Sequence, residues 1–273
     1  MLYHLIDWLK GMGWEFPGDA LFQFITSRVL LAVILSLVIS PLFGKKLINY
    51  LLKKQVGESV RDLGLAGEQQ KKGTPTMGGL IIILAILIPT LLLADLNKTY
   101  IRLMIFSTVW LGIIGFIDDY LKLRAKKLAQ QQGVAYKKGD KDGLAGWFKI
   151  LGQVVLGLVV ATTLLFSDNT RVWREYVGDP KDAPADTISR ELDGKQKIFD
   201  IADNPITTIP FVKGHEFNYS KLLPEVARGA TWILYIAIVI FLITAVSNGA
   251  NITDGLDGLE TGTSALRGVC GGI

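Results

Sequence analysis

Apolar residues in this chain gather into runs close to the ~20 residues that a helix needs to cross a bilayer. Five runs predict membrane helices: 21–43, 77–94, 100–117, 147–166 and 230–246. Arg28 sits near the outer end of the first, where a long side chain can snorkel. Pro89 falls inside the second and predicts a kink, tolerated where neighbours satisfy the freed carbonyl. A sixth span is expected to begin near Ser264. The final residues, ALRGVCGGI, are small and apolar and read as the start of a helix cut short, so the sequence reads as incomplete at its C-terminus.

The polar stretches between these runs set an orientation. Segment 44–74 carries seven basic and three acidic residues, and 118–146 carries seven basic and four acidic. Segment 1–19 has one basic and three acidic residues; the 62-residue stretch 168–229 has nine basic and eleven acidic. Basic loops stay in the cytoplasm. The N-terminus and 168–229 are therefore expected outside, in the periplasm, with both basic loops inside. The N-terminus lacks the basic start and small-residue cleavage site of a secretory signal peptide. The outer insert is rich in Pro and Asp and is expected to form a few short strands.

Composition narrows the class. Of 273 residues, 50% are hydrophobic and 20% charged, and the mean hydropathy is +0.37. These values exclude disordered chains, collagen and disulfide scaffolds. The single cysteine, Cys270, cannot form an intrachain disulfide. The predicted fold is all-α: a polytopic membrane helix bundle with five to six spans, forming one membrane domain over 1–273 with the periplasmic insert 168–229.

Three polar clusters fall at the predicted cytoplasmic helix ends, and polar groups at membrane depth default to function because they are costly there. The first is Lys71-Lys72-Gly73-Thr74-Pro75-Thr76-Met77-Gly78-Gly79. Its glycines admit a ligand close to the backbone, amides at a helix start favour anions, and lysines supply charge for phosphate. The plain alternative is a positive-inside flank with packing glycines. The second is Asp118-Asp119, directly after an apolar run. Adjacent helical residues point about 100° apart, so one could bind a metal while the other orients a lysine or acts as base. The alternative is an interfacial pair neutralised by Lys122.

The third cluster places Asn248, Asn251, Asp254 and Asp257 three residues apart, interspersed with Gly249, Gly255 and Gly258. The glycines predict a helix fraying into a loop that offers amides and carboxylates to one polar ligand; a capping turn is the alternative. The only histidines, His4 and His215, fall on the outer side, which leaves no cytoplasmic histidine base and no zinc site. What remains suits a Mg²⁺-assisted reaction of a phosphorylated substrate at the membrane surface.

Together the three clusters resemble the polyprenyl-phosphate N-acetylhexosamine-1-phosphate transferase superfamily. Within it, GTPTMGG and the NxxNxTDGLDGL pattern are similar to the phospho-N-acetylmuramoyl-pentapeptide transferase family of peptidoglycan synthesis. That resemblance implies ten transmembrane helices in the bacterial inner membrane, with an active site facing the cytoplasm. It implies transfer of phospho-MurNAc-pentapeptide from UDP-MurNAc-pentapeptide to undecaprenyl phosphate, giving lipid I and UMP, with Mg²⁺ as cofactor.

It places Asp118 and Asp119 in the catalytic centre as metal ligands, with Lys71 beside the phosphates. Lys72, Thr74, Thr76, Asn248, Asn251, Asp254 and Asp257 fall around the substrate. A third family aspartate is expected beyond Ile273. Partners implied are the two substrates, membrane lipid and a second copy in a homodimer, with no nucleic acid. The same chemistry on UDP-N-acetylglucosamine is the alternative. A transporter is a weaker one, because transporters place polar sites near the midplane.

Overall fold

The computed structural model describes residues 2–14, 18–54, 77–132, 143–167, 170, 173–175, 187–192, 195–201, 206–208, 216–253 and 264. Six α-helices dominate: α1 (Leu2–Gly11), α2 (Ile25–Lys54), α3 (Gly79–Leu93), α4 (Thr99–Gln131), α5 (Gly146–Phe166) and α6 (Thr231–Thr253). Four of them, α2, α4, α5 and α6, are long and apolar enough to cross a membrane. α3 is apolar throughout but has 15 residues, about 22 Å of rise, short of the ~30 Å hydrocarbon core. The protein is a multi-pass membrane protein of mostly helical fold.

The chain divides into two compact units, Met1–Gly152 and Gln153–Ile273. In the first, α3 packs between α2 and α4, and α1 lies against α3. Pro89 does not end α3; it is buried within it, and the helix closes at Ala94, whose N–H donates to the Thr90 carbonyl. The anchor between α4 and the start of α5 is polar on one side: the Trp110 Nε1–H donates to the Gly152 carbonyl at 2.9 Å. Many apolar side chains of the long helices face outward, Leu37 at 68% exposure among them. Hydrocarbon can cover such a surface because every helical backbone group is already paired internally.

Two expectations about helix length are corrected. α2 does not stop near Phe43: it runs to Lys54 and carries Lys45, Lys46 and Lys53 as helical residues. α4 does not stop at Ile117 but continues to Gln131. In both cases straight-chain Lys, Leu and Arg residues follow the apolar run, and these good helix formers carry the helix on, in α2 past Pro41 and Gly44. Helix α1 was also not anticipated. Leu2, Leu5, Ile6 and Leu9 supply the apolar spacing that signals it, and Ile6 is buried.

In the second unit, α5 and α6 meet where α5 has a glycine. A Cβ on Gly157 would fall 2.8 Å from the Ile240 Cα, so only glycine permits that approach. Between these helices lie short antiparallel strands, as expected for 168–229. β1 (Trp173–Glu175), β2 (Thr187–Leu192) and β3 (Lys195–Ile201) form one sheet in the order β1-β3-β2. β2 and β3 pair from Thr187↔Asp200 to Leu192↔Lys195. Asp193-Gly194, the pair between them in sequence, is a favoured two-residue hairpin connection. β4 (Ile206–Thr208) pairs with β5 (Glu216–Asn218). Tyr219 then sits edge-on against Tyr235 of α6, and its hydroxyl lies 2.8 Å from that of Thr207.

Candidate functional site

Asp118 and Asp119 lie inside α4, three turns before its end, rather than at the start of a loop. Successive helical residues diverge by about 100°, and the two carboxylates meet different surroundings. Asp118 is buried at 7% exposure. Its Oδ2 lies 2.6 Å from Lys122 Nζ, one turn on, and 3.0 Å from Lys149 Nζ of α5. Its Oδ1 accepts the Leu144 N–H at 2.8 Å. Leu144 sits two residues before α5, so this carboxylate also meets the positive end of that helix. Gly143 makes the approach feasible: a Cβ there would fall 2.6 Å from Asp118 Oδ1 and 2.9 Å from Lys122 Cε.

Asp119 is the more open of the two. Its side chain is 36% exposed, and the Lys122 Nζ stands 4.0 Å from its Oδ1. It lines a cavity of about 430 Å³ with Met77, Leu80, Gly112 and Phe116, between the start of α3 and the middle of α4. A neighbouring cavity of about 440 Å³ shares Met77, Leu80 and Phe116, and is bordered by Tyr120, Arg124 and Lys127. The cleft is thus apolar along its walls, with a carboxylate at one place and cations at another.

Met77, directly before α3, has a φ of 70°. A left-handed backbone is uncommon for a residue other than glycine, and such strain collects at functional sites. A Cβ on Gly78 or Gly79 would meet nothing within 4 Å. Packing therefore does not demand these glycines, and a ligand can approach the backbone there, as their sequence pattern suggested.

In the second unit, α6 continues through Asn248 and Asn251 to Thr253. The fraying expected from Gly249 does not occur there, since one glycine costs only about 1 kcal/mol within a helix. Asn248 Nδ2 donates to the Thr244 carbonyl at 2.8 Å and to Gln153 Oε1 at 3.0 Å. A backbone carbonyl can only accept, which fixes the amide's orientation. Gln153 Nε2 in turn donates to Ser247 Oγ at 3.1 Å. Both amide hydrogens of Asn248 are thereby engaged, and its Oδ1 is what it can offer to a ligand. Asn251 is exposed in the last turn of α6.

Lys71, Lys72, Thr74, Thr76, Asp254 and Asp257 lie outside the described residues. Three participants escaped the sequence reading: Lys149, Gly143 and Gln153. Lys149 and Gln153 sit one turn apart at the start of α5, and a polar pair inside an apolar run was the available signal. Nothing in the sequence singles out Gly143.

The family described as Glycosyl transferase family 4 matches residues 189–273. Residues 71–83 match Phospho-N-acetylmuramoyl-pentapeptide-transferase signature 1, a stretch that ends inside α3 and includes the strained Met77.

The whole chain aligns at 49% identity with a phospho-N-acetylmuramoyl-pentapeptide-transferase of Flavobacterium psychrophilum, covering 63% of that protein. It aligns at 45% identity with those of Flavobacterium johnsoniae and Parabacteroides distasonis, covering 63% and 60% of them. These alignments span the entire chain, the 168–229 segment included. The chain spans about six tenths of the length of the relatives it matches. The chain is thus similar over its whole length to phospho-N-acetylmuramoyl-pentapeptide-transferases, and its residues 189–273 match glycosyl transferase family 4.

Proposed function

We propose that the protein transfers phospho-MurNAc-pentapeptide from its UDP carrier to undecaprenyl phosphate, releasing UMP and forming lipid I. The observation that carries this reading is the Asp118–Asp119 pair: one acid buried and clamped by two lysines, the other open to a cleft beside the signature segment. An apolar cleft bordered by a carboxylate and by Arg124 and Lys127 suits an amphiphile with an anionic head. In the reaction an oxygen of the lipid phosphate bonds to the β-phosphorus of the UDP-sugar, the bond from that phosphorus to the bridging oxygen breaks, and UMP leaves.

Mg²⁺ fits one of the two acids better than the other. Among the described residues no cluster of three or more acidic, histidine or cysteine side chains stands ready for a metal. Mg²⁺, however, is commonly held by one or two carboxylates with substrate phosphates completing the shell. Asp119 has the exposure for that. Asp118 already accepts from Lys122, Lys149 and Leu144, so both its oxygens are engaged. When bound, the metal supplies neutralisation of the diphosphate charge.

Asp118 acts as the positioning residue, keeping two ammonium groups at the site. Lys71, Lys72, Thr74 and Thr76 contact the phosphates. Asn248, Asn251, Asp254 and Asp257 hold the nucleotide and sugar side, Asn248 through its Oδ1. On this reading the site faces the cytoplasm, the N-terminus and 168–229 are periplasmic, and the enzyme works in the bacterial inner membrane, as a homodimer.

The test is UMP release by the protein in lipid bilayers, with undecaprenyl phosphate and UDP-MurNAc-pentapeptide, with and without Mg²⁺. Mg²⁺-dependent release that Asp119→Asn lowers by about 10³-fold is expected, the scale of losing a group that stabilises transition-state charge. Release only from UDP-N-acetylglucosamine would reassign the donor sugar. No release from either donor would overturn the reading.

A further inference from the structure

At the end of the first unit away from Asp118, α2, α3 and α4 enclose a cavity of about 340 Å³. Ile101, at the start of α4, lines it. Asp118 lies 17 residues further on, about 25 Å along that helix. The cavity therefore belongs to the opposite membrane boundary from the carboxylate pair. Its walls are apolar, with Val29, Ala32 and Leu93 among them, but two cations line it as well: Arg28 and Lys98.

Arg28 is inside the apolar stretch of α2. Its guanidinium lies over the Tyr3 ring at 4.2 Å, and its Nε is buried without a hydrogen-bond partner. Snorkelling alone would carry the whole head to water; here a strong donor is held under an aromatic ring with nothing to accept from it. A buried donor without an acceptor, at membrane depth, is costly and points to a ligand. Among the described residues neither Arg28 nor Lys98 forms an ion pair.

Among the described residues the one acid lining the cavity, Asp95, is engaged in its own turn. Its Oδ1 accepts the Asn97 N–H at 3.1 Å and lies 3.7 Å from His4 Nε2. That His4 nitrogen itself accepts the Leu96 N–H at 3.0 Å. Two cations against one hydrogen-bonded carboxylate leave the cavity net positive.

We propose that this cavity binds an anionic phospholipid from the leaflet at the α3–α4 turn. The lipid phosphate pairs with the Arg28 guanidinium and with Lys98, and the first acyl methylenes lie against Val29, Ala32, Leu93 and Ile101. Arginine is the residue suited to a phosphate at a partly buried site, and basic pockets between membrane helices bind anionic headgroups. The proposal is independent of the transferase reading and needs no activity to be measured.

The experiment is native mass spectrometry of the detergent-solubilised protein, titrated with phosphatidylglycerol or with zwitterionic phosphatidylcholine. Phosphatidylglycerol is expected to bind about ten-fold more tightly, and Arg28→Gln with Lys98→Gln to remove about that preference. Lys98→Gln alone, at an exposed position, keeps the test valid should the double variant fail to fold, and is expected to cost about three-fold. Ala32→Phe keeps both charges and fills the groove, and is expected to weaken phosphatidylglycerol binding as well. Equal binding of the two lipids overturns the proposal. So does unchanged binding in the Lys98 and Ala32 variants, or displacement of the lipid by millimolar inorganic phosphate.

Discussion

Replacing each aspartate of the pair by asparagine separates their roles without reference to activity. Asp118 accepts three hydrogen bonds, two of them from ammonium groups, at 2.6, 2.8 and 3.0 Å. A hydrogen bond to a charged group contributes about 1.5–3 kcal/mol when buried. Lys122 and Lys149 are 45% and 32% exposed, so solvent lowers each pair toward the ~1 kcal/mol of a surface contact. Asparagine keeps one acceptor for Leu144 and loses the charge facing both lysines, for a net cost of about 2 kcal/mol. Asp119 stands 4.0 Å from Lys122 on a side chain that is 36% exposed, and its replacement should cost less than that of Asp118. Equilibrium unfolding in mixed detergent micelles reads both. A double-mutant cycle between Asp118→Asn and Lys149→Met should return a coupling near 1 kcal/mol. Equal stability of the two asparagine variants, or no coupling to Lys149, would refute the assignment of Asp118 as the clamped residue.

Three further outcomes follow from close approaches and from one fixed amide. Gly143→Ala forces the segment before α5 off Asp118 Oδ1, breaking the Leu144 bond; a loss of about 1–3 kcal/mol is expected by the same unfolding assay. Gly157→Ala brings a methyl to within 2.8 Å of the Ile240 Cα and should cost a similar amount by separating α5 from α6; an unchanged unfolding midpoint would mean the helices do not meet there. Asn248→Asp puts a carboxylate oxygen where the amide now donates to Thr244 and Gln153. It should destabilise by about 1–3 kcal/mol, and Gln153→Leu in that background should recover part of the loss.

The membrane character and five of the six α-helices were legible along the chain because burial in lipid imposes a length and a composition that any reader can see. Apolar runs located α3 and α5 to within two residues. They misplaced the ends of α2, α4 and α6, since hydropathy marks where a helix leaves the bilayer and not where it unwinds. Lys45, Lys53, Lys122 and Lys127 are as helical as the leucines before them. Short strands in 168–229 were expected without their pairing, because register depends on contacts between segments.

The adjacent acids show the division most clearly. The sequence by itself determined that two carboxylates sit together at the end of an apolar run, with lysines nearby and a glycine-rich, threonine-bearing segment upstream. It could not rank them, since Asp118 and Asp119 are identical in type and differ by one position. Only the tertiary structure did so, by bringing Lys149 and the Leu144 N–H to one and a cavity to the other. The physical reason is the 100° step of the helix: it turns neighbours in sequence toward different partners, and those partners come from parts of the chain that no local pattern can connect.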